Sequence, residues 1–143
     1  MPIIELDLII AFLSEKDNLH EIAIKIFQEI EINNLSDIKI PTSALLELEL
    51  LLRSKKVTDM EIAKDITHII EFPNLKELPL TSSTLILAQK LRTDYPGLTF
   101  FDSLHCASAL LFDGKIIGSD SFFDKIQELT RISPDSLLQI PPE

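Results

Sequence analysis

Apolar residues fall in short blocks along the chain, and the spacing inside the blocks alternates between two types. Ile3-Ile4-Glu5-Leu6-Asp7 reads as a short strand running directly into the apolar block Leu8-Ile9-Ile10-Ala11-Phe12-Leu13, the start of a buried helix. No turn residue separates the two, so the strand-to-helix transition is expected near Asp7. Between His20 and Ile32 the apolar positions Ile22, Ala23, Ile26, Phe27 and Ile30 recur at helical spacing, with Glu21, Lys25 and Glu29 on the opposite side. Asn33-Asn34 breaks that helix, and residues 37–40 predict a second strand closed by Pro41. Thr42 or Ser43 can cap a helix over 44–53. Thr58 with Glu61 has the spacing of a capping box, ahead of a stripe formed by Ile62, Ile66, Ile69 and Ile70 that Pro73 ends. Residues 76–80 predict a short strand, on an edge if Pro79 belongs to it. Thr81 or Ser82 opens a helix through Leu85, Ala88 and Leu91 that stops at Tyr95-Pro96-Gly97. A further helix is expected to begin at Asp102 and run through residues 103–110, followed by a Gly114 turn, a strand over 115–118 and a last helix over 122–129. The tail Pro141-Pro142-Glu143 is expected to fray. Strands alternating with helices imply an α/β fold with a mainly parallel sheet.

Composition narrows the class. A chain of 143 residues that is 45% apolar with three glycines can bury a real core in one domain. No run approaches the ~18 or more apolar residues of a membrane helix. The N-terminus carries acids and no basic segment, which argues against a secretory signal. Cys106 is the sole cysteine, so an internal disulfide and a cysteine-built zinc site are excluded, and the expected location is the cytoplasm. A net charge of −10 opposes simple nucleic-acid binding unless acids gather around cations that invert the local charge.

The acids are placed to do that. Glu5 and Asp7 lie at the end of the first predicted strand, Asp120 directly after the strand over 115–118, and Asp102 at a helix start. A helix preceding a strand delivers its start to the sheet edge where open α/β folds bind ligands. Glu47 and Glu49 are two residues apart on one predicted helix and therefore point about 200° apart, at about 100° per residue. Glu49 shares a side with Leu45, Leu48 and Leu52 and is expected to face inward, leaving Glu47 solvated. Convergent carboxylates suit magnesium or manganese, which take oxygen ligands and retain waters. The simpler roles are a helix cap for Asp102, a turn or cap for Asp120, a solvated first-turn acid for Asp124, and an ion pair with Arg53 or Arg92 for Glu49. His105 is expected to pack or hydrogen-bond rather than ligate, Cys106 to act as a small buried hydrophobe, and Phe100, Phe101, Phe122 and Phe123 to belong to the core. No nucleophile-elbow serine or glycine-rich phosphate loop competes as a catalytic set.

Four segments carry a family resemblance. Asp-Ser-Leu-His-Cys-Ala-Ser-Ala-Leu from Asp102 resembles the Asp-x-x-His-x-Ala-x-Ala helix of the PIN-domain nucleases, which include the VapC-type toxins. Gly118-Ser119-Asp120-Ser121-Phe122-Phe123 is similar to that family's strand-end segment, with Asp120 and Phe123 in place, and the helix opening at Thr42-Ser43 resembles the one carrying its inward glutamate, placed at Glu49. The first strand differs from the family's pattern: Glu5 stands at the usual Asp and Asp7 at the usual Asn or Ser. The resemblance implies a three-layer α/β/α fold around a mainly parallel sheet. It also implies a magnesium- or manganese-dependent ribonuclease in which Glu5, Asp7, Glu49, Asp102 and Asp120 hold metal. Further implied are a homodimer and inhibition by an antitoxin protein. A non-catalytic PIN-like regulatory module is the alternative that Glu5 and the acidic charge favour, and a metal-dependent phosphatase is a third.

Overall fold

The computed structural model describes residues 2–138. Five short strands form one sheet in the order β3-β2-β1-β4-β5: β1 (Ile3–Ile4), β2 (Lys39–Pro41), β3 (Lys76–Leu78), β4 (Lys115–Ile117) and β5 (Thr130–Ile132). Every pairing is parallel, with Ile3 opposite both Lys39 and Ile116, and Ile117 opposite Ile132. The helices are α1 (Leu6–Leu13), α2 (His20–Glu31), α3 (Thr42–Ser54), α4 (Asp59–Ile70), α5 (Ser82–Asp94), α6 (Phe100–Leu110) and α7 (Pro134–Leu138), with a 3-10 turn over Ser121–Lys125.

Alternation along the strands sorts the core into two layers. Ile3 and Ile116 pack with Ala88, Leu91, Leu104 and Phe123 on the side of α5 and α6. Their neighbours Ile4 and Ile117 pack with Leu8, Ile26, Phe27, Ala44 and Leu137 on the other. A strand buried on both faces must be apolar at successive positions. Those pairs, Ile3-Ile4 and Ile116-Ile117, are all fully buried. This is a three-layer α/β/α arrangement, as expected. The second layer is pinned by Phe12 stacked on Phe27 at 3.9 Å between ring centroids, with Phe72 edge-on to both.

Several boundaries differ from the sequence reading. The first strand ends at Ile4, not Asp7: Glu5 is the extended N-cap of α1, and Asp7 lies in the helix's first turn. Helix α6 starts at Phe100, capped by the Thr99 hydroxyl, which accepts from the Asp102 backbone N–H. Asp102 is thus a first-turn acid and not the cap. Residues 122–129 do not form a helix. Residues 122–125 lie in the 3-10 turn, and the chain then turns at Glu128, whose φ is +69°, to feed β5. Strand β5 and helix α7 had no counterpart in the expected elements. Pro79 falls outside β3, which is a sheet edge. The Pro141-Pro142-Glu143 tail lies outside the described residues.

Candidate functional site

Strand β1 is the topological switch point. The chain proceeds from β1 to β2 and β3 on one side, then crosses to β4 and β5 on the other. Ligands in open α/β sheets bind at the carboxyl ends of the strands beside such a point. Glu5 leaves β1 there, and its backbone N–H continues the ladder to the Ile117 carbonyl at 3.0 Å. Gly118, Ser119 and Asp120 leave β4 beside it. A Cβ on Gly118 would lie 2.8 Å from Glu5 Oε2, so the bare glycine backbone is what admits the Glu5 carboxyl.

Glu5 is buried, at 8% exposure. Its pKa is pushed up from 4.5 to about 10, first by burial, then by the adjoining Asp7 carboxyl, and further by Asp102 and Glu47. Glu5 Oε2 and Asp7 Oδ1 are both buried and receive no hydrogen bond from the described residues. With no donor between them, the two carboxyls make charging Glu5 costly. The other Asp7 oxygen accepts from the Ser119 backbone N–H at 2.8 Å and from the Ser119 hydroxyl, joining α1 to the end of β4.

Asp102 enters from the start of α6. Burial raises its pKa, with Glu47 and Asp120 adding to the rise, against the Thr99 hydrogen bond and His105, which lower it. Asp120 is exposed and caps the 3-10 turn, accepting from the Phe122 N–H at 2.9 Å. Asp124 turns to Arg131, which holds both its oxygens at 2.9 and 3.1 Å and donates to the Gly118 carbonyl at 3.0 Å. That bidentate pair keeps the Asp124 carboxyl below its ordinary range.

The inward glutamate is Glu47, which corrects the choice of Glu49. Glu49 is bonded by Arg53 one turn on at 3.2 Å, and Arg53 also reaches Asp59 at 2.8 Å. Glu47 accepts from His105 Nε2 at 2.8 Å, and His105 Nδ1 lies 2.8 Å from the Ser43 hydroxyl. The leucine face of α3, with Ala44, Leu45 and Leu48, packs into the core, and the face carrying Ser43 and Glu47 meets α6. The signal in the sequence was the Ser43–Glu47 spacing of one helical turn, opposite a histidine that needed two partners. Phe123 is core, whereas Phe100 is 56% exposed, with Arg92 over its ring at 5.3 Å. Cys106 is fully buried.

The structure therefore gathers Glu5, Asp7, Glu47 and Asp102, with Asp120 beside Asp102, and leaves out Glu49 and Asp124. Among the described residues no three such groups converge closely enough to ligate one ion as they stand. The donor chemistry still fits a hard divalent cation: two buried carboxylate oxygens lack donors, and their neighbours are acids that repel them.

The family model for the PIN domain matches residues 7–129. The chain belongs to the PIN-domain family. The match begins after Glu5, the residue at which the first strand departs from the family's usual sequence. Solved structures share this PIN fold at low identity. The VapBC2 crystal structure from Rickettsia felis, bound to a promoter DNA fragment, is similar with a TM-score of 0.71 at 13% identity, over 92% of this chain and 96% of that one. A toxin–antitoxin complex from Klebsiella pneumoniae gives 0.66 at 12% identity, over 94% and 98%. FitAcB from Neisseria gonorrhoeae gives 0.65 at 15% identity, over 94% and 98%. No curated protein sequence matches this PIN domain. No helix among its described residues is long and apolar enough to cross a membrane.

Proposed function

We propose that this PIN domain is a magnesium- or manganese-dependent ribonuclease, the toxin of a toxin–antitoxin pair. The observation that carries the reading is the pair of donorless buried oxygens, Glu5 Oε2 and Asp7 Oδ1, at the switch point beside Glu47 and Asp102. Glu5, Asp7, Glu47 and Asp102 would hold the cation, directly or through water, with Asp120 at the rim. A divalent ion so held activates water and offsets charge on a phosphodiester. The chain's own contribution is to orient these groups. Ser119 fixes the rotamer of Asp7, Arg131 anchors the Gly118 carbonyl and so the segment carrying Asp120, and burial strips water from Glu5. Held by these residues, a cation would supply the positive charge that offsets the negative potential otherwise repelling RNA.

The toxin–antitoxin complexes among the similar structures support an antitoxin partner. Exposed apolar side chains, Leu46 and Leu50 on α3 and Leu85 and Ile86 on α5, support protein partners generally, a second copy included. The test is cleavage of mixed RNA with magnesium or manganese, comparing wild type with Asp102→Asn. Metal-dependent cleavage that drops by two or more orders of magnitude in the variant is expected. Cleavage untouched by the substitution, or none at all, removes the enzyme reading. The second outcome would leave a non-catalytic PIN module, the reading favoured by Glu5 in place of the usual aspartate.

A further inference from the structure

The buried hydrogen-bonded chain Ser43–His105–Glu47 is more than a packing solution. His105 is wholly inaccessible, as is Ser43, yet Glu47 is only partly covered. A carboxylate accepts, so His105 Nε2 carries the proton toward Glu47, and Nδ1 then accepts the Ser43 hydroxyl proton. Each polar atom of the imidazole is satisfied by one partner, and both partners come from α3, one turn apart. The ring itself comes from α6, one turn after Asp102.

We infer that His105 is a positioning residue, with Ser43 behind it, that holds the Glu47 carboxylate in the metal-binding cluster. Two observations require such a device. The bond to His105, one turn after Asp102 on α6, sets Glu47 beside another carboxylate, a placement that like charge opposes. Its side chain is also partly exposed on a helix surface, where an unrestrained glutamate samples several rotamers. Glu49 shows the alternative: two residues on, with no histidine opposite, it pairs with Arg53 on the outer surface. The imidazole removes that freedom for Glu47 and sets one oxygen toward α6. One helix thus supplies a carboxylate directly through Asp102 and aims a second through His105. Partners that orient ligands in this way typically matter 10–100-fold to metal affinity.

The inference rests on the metal-dependent reading and is tested by manganese binding, measured by titration calorimetry on the full chain without RNA. Apo melting curves are recorded in parallel to show that each variant folds. His105→Leu is expected to weaken manganese binding roughly 10–100-fold. His105→Gln keeps an N–H for Glu47 and is expected to recover most of the affinity. Ser43→Ala, which does not touch the cluster, is expected to weaken binding about 5-fold, the equivalent of one hydrogen bond. Glu49→Gln is expected to bind as wild type does. A role confined to packing would move melting temperatures and leave the dissociation constants together. Unchanged affinity in Ser43→Ala and His105→Leu, or His105→Gln no tighter than His105→Leu, overturns the positioning role alone. A wild-type chain that binds no manganese overturns the metal reading, and this role with it.

Discussion

Replacing Gly118 by alanine tests whether the Glu5 carboxyl is held where the structure places it. The added Cβ would sit 2.8 Å from Glu5 Oε2, 3.2 Å from its Cβ and 3.6 Å from its Cδ. Carbon atoms settle at about 3.5–4.0 Å, so the carboxyl must move by roughly half an ångström or more. It has little room to do so, because Glu5 is buried between α1 and the end of β4. Overpacking of this kind costs about 1–3 kcal/mol. The loss of glycine's freedom in the unfolded chain returns about 0.4–1 kcal/mol, since the backbone at 118 is one alanine adopts readily. The expected net loss is about 1–2 kcal/mol, read by urea unfolding with divalent ions chelated. Glu5→Asp withdraws the carboxyl by one methylene and removes the 2.8 Å clash, leaving the 3.2 Å contact with Cβ. In that background Gly118→Ala is expected to cost about 1 kcal/mol less, a coupling well above the ~0.3–0.5 kcal/mol scatter of independent sites. Additive behaviour of the two substitutions, or a single-variant loss within that scatter, would refute the geometry.

Two further outcomes follow from the same group of acids. Because Glu5 titrates near 10 in the folded chain against 4.5 unfolded, the folded state holds its proton more tightly; the stability this gives is complete below pH 4.5 and is lost progressively as pH rises toward 10. Its share of the slope approaches about 1.4 kcal/mol per pH unit at most, and metal-free Glu5→Gln should show a flatter profile and unfold above the wild type at pH 8; parallel profiles would contradict the assignment. Manganese at about 100 times its dissociation constant should add about 2.7 kcal/mol, or roughly 10 °C in melting temperature for a chain of this size, and an unchanged melting curve at millimolar manganese would sink the site.

The α/β layering was legible because the short apolar runs at Ile3-Ile4 and Ile116-Ile117, set between helical patterns, fit strands covered on both faces. The last third was harder. Phe122, Phe123, Ile126 and Leu129 have helical spacing, but Phe123, Ile126 and Leu129 are drawn into the core from a 3-10 turn and the bend after it. Edge strand β5 has one apolar residue in three, too little pattern to find. Helix α7 had a readable start: Pro134 at its first position, after Ser133, whose hydroxyl accepts from the Ser136 N–H. Thr99, three residues before Asp102, was likewise the better cap candidate. Glu47 and Glu49 do point to different sides of α3, but it is Glu47 that meets His105 while Glu49 pairs with Arg53. A leucine-rich side marks the core, whereas the site lies on the adjacent side, where Ser43 and Glu47 face His105. Hydrophobic pattern locates a core; it does not locate a polar network that spans two helices.

The strand order also has a consequence for the order of synthesis. Asp7 is tied to Ser119, 112 residues further along the chain. The central strand β1 is made first and must wait for β4, the neighbour that closes its other side. Such distant pairing makes folding slow and cooperative. A nascent chain that has emerged only as far as α5 lacks Asp102, His105 and Ser119, so its acids are dispersed and unoriented. The carboxylate cluster can therefore assemble only once β4 has joined β1, and a chain short of that point cannot bring these acids together.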